Sequence, residues 1–384
     1  MKWIKLVGLV GWLWVSAASA EVPSSSVQAT LQIPERGELV FQVVQLTDGL
    51  EFPWGMDELP NGGILITEKP GRLRIWQENS LSAPIAGVPE VYFRSQGGLL
   101  DVLVDQSFAT NQRIYLTYAH SEALGNTTRL LAARLTELAL AEPQVLFEVA
   151  PYKDTPVHYG GRVAQFPDAT LVLTTGDGFD YREQAQRLDS LLGKTVRITP
   201  AGRIPQDNPW FGQPTVKPEI WSYGHRNPQG LAFDPRRQVL WQHEHGPKGG
   251  DEINAIVAGK NYGWPVATYG KDYSGAIISP YQTYPGTEEP LKQWTPSIAP
   301  SGLAVYYHPK GSWLDGYLLV GSLVERDLKL VDPDNPTHSL SLLANWNARI
   351  RDVLVTASGD IMVLTDEQNG RLLQLQLVEQ RRSN

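Results

Sequence analysis

Short apolar runs, four to seven residues long, alternate with turns built on Gly, Pro, Asp and Asn along nearly the whole chain. Runs of that length bounded by turn residues predict β-strands, and no long stretch keeps a helical period. Gln184–Leu192 is the best short helix candidate. The runs are also self-similar. Trp54-Gly-Met-Asp-Glu-Leu-Pro-Asn-Gly-Gly-Ile-Leu-Ile-Thr-Glu68 is an apolar strand, a turn and a second apolar strand ending in a polar residue. The same unit returns at 98–118, 161–177, 229–245, 301–322 and 351–366.

Units of this kind cannot each bury a face alone. Closed in a ring they predict an all-β, six-bladed β-propeller with four-stranded antiparallel blades, which also removes long exposed sheet edges. A ring of seven needs a copy that the sequence lacks. The spacing leaves room for two outer strands per unit, and the longest gaps, around 179–228 and 248–300, read as inserted loops.

The first 20 residues break the pattern. Met1-Lys-Trp-Ile-Lys leads into Leu6-Val-Gly-Leu-Val-Gly-Trp-Leu-Trp-Val and ends at Ala18-Ser-Ala20. A basic start, a short apolar core and an Ala-x-Ala end describe a secretory signal peptide, too short to be a spanning helix. The expectation is a leader over 1–20 and a single propeller domain over 21–384, periplasmic or secreted, with no membrane span. The chain has no cysteine, which excludes disulfides, thiol chemistry and a lipid-modified cysteine anchor. Roughly 360 residues bury a large core without such staples. Losing Lys2 and Lys5 with the leader takes the formal charge from −8 to −10. An acidic chain of this kind argues against nucleic acid as a partner.

A propeller brings the entry of each first strand and the end of each second strand to one mouth of the central channel. The first set is Gln96, His158, Arg226 with Asn227, and Arg349 with Arg351. The second is Glu68, Asp177, His245 and Asp366. Any one of these could simply cap a turn. Three arginines meeting an imidazole in a ring centre are costly unless an anion fills it. The dense stretch Tyr223-Gly-His-Arg-Asn-Pro-Gln-Gly-Leu-Ala-Phe therefore reads as aimed at a flat or multiply charged ligand carrying carboxylates. Other signals fall short. Leu192-Gly-Lys-Thr lacks the earlier glycine of a phosphate loop, and His243-Glu-His245 has no third zinc ligand at a convincing spacing.

These residues also carry a resemblance. Pro53-Trp-Gly-Met, Gln96-Gly-Gly-Leu-Leu-Asp, His158-Tyr-Gly-Gly-Arg, Leu191-Leu-Gly-Lys, Gly224-His-Arg-Asn-Pro-Gln-Gly-Leu-Ala-Phe and Glu244-His-Gly-Pro-Lys-Gly-Gly-Asp-Glu-Ile-Asn occur in order. Lys260-Asn-Tyr-Gly-Trp-Pro and Arg349-Ile-Arg-Asp follow. Together they resemble the soluble aldose sugar dehydrogenases, relatives of soluble glucose dehydrogenase that use pyrroloquinoline quinone (PQQ). The resemblance implies oxidation of an aldose at its anomeric carbon to a lactone, with an external electron acceptor. It implies that His158 is the general base while hydride passes to PQQ. It further implies that Gln96, Arg226 and Asn227 contact the quinone oxygens, Arg226 also stabilising charge on the reduced ring. Arg349 and Arg351 would clamp PQQ carboxylates, with Asp366 holding an arginine or a ring nitrogen and His245 lining the same site. Ca²⁺ is implied at the Gly246 and Pro247 carbonyls as a Lewis acid, and a structural Ca²⁺ at Glu252 and the Tyr262 carbonyl.

Two positions depart from the family pattern. Val157 stands where the glucose enzyme has an aspartate before its catalytic histidine, so whatever orients His158 must come from elsewhere. Val324 stands in the place of a cofactor-binding lysine, with Arg326 as a substitute. A cap over the sugar is expected from 266–297, drawing on Tyr269, Tyr273 and Trp294. Two other functions fit a six-bladed ring: a Ca²⁺-dependent lactonase and a non-catalytic binding propeller. The preferred aldose, the acceptor and the choice between monomer and homodimer are left open by the sequence.

Overall fold

The computed structural model describes residues 26–33 and 36–382; the leader expected over 1–20 lies outside them. Six antiparallel sheets stand around one axis. Their inner strands are Pro53–Glu58, Leu99–Val104, Gly160–Gln165, Pro228–Asp234, Pro300–Val305 and Ile350–Val355, one for each repeat read from the sequence. Each touches the next, and the sixth returns to the first, so the ring is closed. We number the blades 1 to 6 in that order.

Five blades have four strands and blade 6 has five. Only Gly370–Arg382 follows the sixth repeat, so Gly37–Leu50 from the other end of the chain pairs with it antiparallel, and Val27–Ile33 adds an outer strand. Chain ends thus lock the ring. No described helix is long and apolar enough to cross a membrane.

Strand side chains alternate in direction, so each strand serves two seams. In blade 3, Leu171 and Leu173 pack with Tyr115 and Leu130 of blade 2, whereas Val172 between them packs with Leu231 and Leu240 of blade 4. Blade 4 repeats the device: Leu240 faces blade 3, and Trp241 joins Leu318 and Val320 of blade 5. Every seam has an apolar cluster of its own, including Ile64 and Ile66 against Met362 and Leu372 where blade 1 meets blade 6.

On the axis sits Arg162. Its guanidinium pairs with Asp101 of blade 2 at 3.1 Å and Asp352 of blade 6 at 2.9 Å. Nε donates to the Gln229 carbonyl of blade 4 at 2.8 Å, Nη2 to the Ser301 carbonyl of blade 5 at 3.5 Å, and Trp54 of blade 1 covers it at 4.1 Å. One side chain therefore touches all six inner strands and closes the channel floor.

The helix expected at Gln184–Leu192 is only a 3₁₀ turn over Arg182–Gln186. Lys194, wholly buried, donates to the carbonyls of Gln184, Ala185 and Leu192. The first two are the acceptors that a longer helix would need. The expected insertions around 179–228 and 248–300 contain the outer strands Lys194–Ile198, Ile220–Tyr223, Asp251–Ile256 and Lys292–Trp294, leaving 257–291 as the long excursion.

Candidate active site

The strand ends meet as the ring requires. A cavity of about 260 Å³ opens on the axis, lined by Gln96, Asn227, His245, Arg349 and Arg351, with Trp54, Lys69 and Tyr159 among its other walls. A neighbouring cavity of similar size shares the mouth and is lined by Arg226, Pro247, Phe179, Trp264 and Tyr273. Asp366 stands behind the arginines: Arg349 donates to Oδ2 at 2.7 and 3.0 Å, and Arg351 donates to Oδ1 at 3.1 Å. Burial pushes the Asp366 carboxyl up, but the two guanidiniums outweigh it and hold the carboxyl below its usual value.

His158 occupies the turn entering blade 3 with a positive φ of 53°, and only 5% of it is exposed. Its N–H donates to Gln96 Oε1 at 2.8 Å. A Cβ on Gly176 would collide with the His158 carbonyl, so the segment leading from the strand end to Asp177 can approach only because that residue is glycine. Asp177 is the partner missing at Val157. His158 Nδ1 donates to Asp177 Oδ1 at 2.6 Å, and Trp264 Nε1 donates to Oδ2 at 2.7 Å. The Phe179 N–H donates to Oδ1 as well, and its ring meets the imidazole edge-on at 5.1 Å. A carboxylate only accepts, so the proton is fixed on Nδ1 and Nε2 keeps its lone pair. Burial, stronger than the pull of Asp177, holds the imidazole below its usual pKa.

The stretch 225–227 divides between two duties. His225 is wholly buried, with Nδ1 donating to Glu244 at 2.9 Å and Nε2 accepting from Ser222 at 2.8 Å. Ser222, His225 and Glu244 follow the order of a hydrolytic triad, but no substrate reaches them. Arg226 turns the other way. Its Nη1 donates to the His245 and Gly246 carbonyls at 3.1 and 2.6 Å, and its carbonyl accepts the Asp177 N–H. Asn227 Oδ1 accepts from the Gly160 N–H and from Gln229.

His245 donates from Nε2 to the Pro300 carbonyl at 2.7 Å, and desolvation pushes its imidazole down to about 3, so it is neutral. Glu68 leaves the mouth and pairs with Arg72 and Arg74 instead. Glu252 faces Glu244 across adjacent strands. Burial first, then Glu244, pushes its carboxyl well above the usual range, and the neighbouring Asn254 Oδ1 is buried without a partner. Tyr262 stacks on His225 at 4.9 Å.

The profile described as Glucose / Sorbosone dehydrogenase matches residues 50–374. The chain belongs to that family. Among its relatives, the aldose sugar dehydrogenase YliI of Escherichia coli is 42% identical over 339 residues, covering 86% of this chain and 91% of the relative. The structure of the soluble aldose sugar dehydrogenase from Escherichia coli in the apo-form superposes with a TM-score of 0.83 at 40% identity, covering 88% of this chain and all of that one. The PQQ-bound aldose sugar dehydrogenase from Streptomyces coelicolor gives 0.71 at 27% identity, covering 86% and 96%.

The strand-end rule puts Asp177 at the mouth, yet its bond to His158 joins residues 19 apart and leaves no local signal. Trp264 lies in the segment Lys260-Asn-Tyr-Gly-Trp-Pro, which by itself gives the indole no role, and Lys69 has no sequence signal at all. Two expectations need correction. Arg326 donates to Asn347 Oδ1 at 2.9 Å and does not line the cavity. Trp294 ends the outer strand Lys292–Trp294 and packs in the seam between blades 4 and 5, so it is not part of a cap. Tyr273 from the long excursion does reach over, its ring centroid 6.3 Å from that of Phe179.

Proposed function

We propose that the protein oxidises aldose sugars at the anomeric carbon to lactones, with PQQ bound on the propeller axis and an external acceptor removing the electrons. The observation that carries this reading is a base-ready His158 beside a pocket whose free cations need an anion. Arg349 and Arg351 share a single carboxylate, and Arg226 is bonded to carbonyls alone, so the donor set fits a flat polycarboxylate. Bound there, PQQ would supply a two-electron quinone that accepts hydride.

The protein's own part is positioning and proton transfer. Arg349 and Arg351 grip carboxylates, while Gln96, Arg226 and Asn227 present donors to quinone oxygens. Arg226 would offset negative charge on the reduced ring. His158 Nε2 takes the anomeric hydroxyl proton, and Asp177 stabilises the imidazolium that results. Neutral His245 adds a flat wall without further charge.

Calcium fits the two suggested places differently. Glu252 beside Glu244, with Asn254 Oδ1 unpartnered, is a set of hard oxygens short of positive charge. The Gly246 carbonyl already accepts Arg226, so a cation at Gly246 and Pro247 enters only together with an anionic cofactor. Both mouth carboxylates, Asp177 and Asp366, are committed to cations or N–H donors, which speaks against a hydrolase built on a carboxylate cage.

A cleaved leader over residues 1–20, as the sequence suggests, would put this reaction in the periplasm or outside the cell. The test is to add PQQ and Ca²⁺ to the purified apo-protein and follow dye reduction with glucose and other aldoses. Lactone formation coupled to dye reduction is the expected result; hydrolysis of lactone without PQQ overturns the reading.

A further inference from the structure

Lys69 follows Glu68 at the end of the second strand of blade 1. Its main chain is held on both sides: its N–H donates to the Phe52 carbonyl at 3.1 Å, and its carbonyl accepts the Leu99 N–H at 2.9 Å. The root of the side chain is thereby fixed between blades 1 and 2. The side chain lines the axial cavity with Gln96, Asn227, Arg349 and Arg351. Nζ donates to the Ser95 carbonyl at 2.8 Å and lies 5.8 Å from the Phe93 ring.

No carboxylate among the described residues pairs with this ammonium, in contrast to Arg349 and Arg351. Burial and the charge of Arg351 both disfavour its protonated form, and Asp366 opposes them only in part. A cation kept beside other cations, partly stripped of water and without a counter-ion, is costly unless an anion arrives. Val324, where the family resemblance places a lysine, is 57% exposed and outside the cavity wall.

The charge count points the same way. Arg349 and Arg351 against Asp366 leave one net positive charge at the axial cavity, and Lys69 there supplies a second. A polycarboxylate outnumbers the single surplus charge of the arginines. We infer that Lys69 is a cofactor-binding residue, gripping a carboxylate of the anionic quinone in place of the lysine absent at Val324. The inference rests on the function proposed above and adds a residue to its binding site.

The test is calorimetric titration of PQQ into apo-protein with Ca²⁺ present, for the wild type, Lys69→Met and Lys69→Arg. Loss of one charge-assisted bond predicts PQQ binding roughly 10- to 100-fold weaker in Lys69→Met. Its salt dependence should be shallower than wild type. Lys69→Arg keeps affinity within several-fold. The trimethyl ester of PQQ, without the carboxylate charges, should bind wild type and Lys69→Met alike. Equal melting temperatures of the unliganded proteins would separate a lost contact from a damaged fold. Lys69→Met binding PQQ as tightly as a competent wild type overturns the assignment alone; no uptake by the wild type overturns the proposed function with it.

Discussion

His158 Nδ1 and Asp177 Oδ1 lie 2.6 Å apart, joined across the two inner strands of blade 3. On the proposed mechanism the pair does what an aspartate at position 157 would otherwise do, fixing the tautomer and stabilising the imidazolium. Asp177→Asn keeps the shape but removes the charge and allows the wrong tautomer. We expect kcat to fall by about 10²- to 10⁴-fold, with PQQ affinity little changed. Steady-state kinetics with PQQ-saturated enzyme checks this, and a kcat within threefold of wild type would count against the pair.

On that mechanism the same pair would set the acid limb of the pH profile. Burial holds the His158 imidazole below its ordinary value, so the base is unprotonated at neutral pH. Turnover should persist on acidification and fall only as pH passes below that lowered value. Asp177 is the group that raises it, so in Asp177→Asn the residual acid limb should move to still lower pH. A limb that moves upward would show that another group titrates.

Arg351 and Arg349 share Asp366 but differ in exposure, 11% against 42% for their side chains. Solvent screens the outer charge more strongly. Arg351→Ala should weaken PQQ binding roughly 10- to 100-fold, and Arg349→Ala by less. Titration of both apo-variants decides it; equal losses would mean that burial does not grade the two contacts.

Glu252 predicts a pH-dependent stability. Its folded-state pKa is raised above the unfolded value, so the folded form holds the proton more tightly. Stability is then fully present below the ordinary carboxyl range and declines as pH rises through it toward the raised value. Without metal, thermal melting temperature should drop over that window, and Ca²⁺ should restore it on the alkaline side. Glu252→Gln should abolish both effects, raising the metal-free melting temperature at alkaline pH by an amount on the order of a few degrees. A Ca²⁺-induced shift that survives in Glu252→Gln would place the ion elsewhere.

Arg162 offers a test of the ring itself. Replacing it with Leu strands Asp101 and Asp352 without their counter-ion, a loss of about 3–5 kcal/mol for a broken buried pair. Chemical denaturation should show the loss. Unchanged stability would mean that the guanidinium is dispensable to closure.

Strand and turn periodicity are properties of neighbouring residues, so six repeats, their inner strands and the list of polar strand ends could be read from the sequence alone. The fourth and fifth strands of blade 6 could not, because Gly37–Leu50 finds its partner at the opposite end of the chain and brings Val27–Ile33 with it. Tertiary structure also decided which strand ends face the ligand. Glu68 ends the second strand of blade 1 and Asp177 lies two residues past that of blade 3; the first pairs with Arg72 and the second with His158. His225 and Arg226 are adjacent in the chain, yet the turn between Tyr223 and Pro228 sends the first into Ser222 and Glu244 and the second to the His245 and Gly246 carbonyls. Lys69 lacked any motif because its role comes from what gathers around it, arginines from blade 6 and amides from blades 2 and 4. A local pattern specifies strands; charge balance at the axis arises only when all six blades have closed.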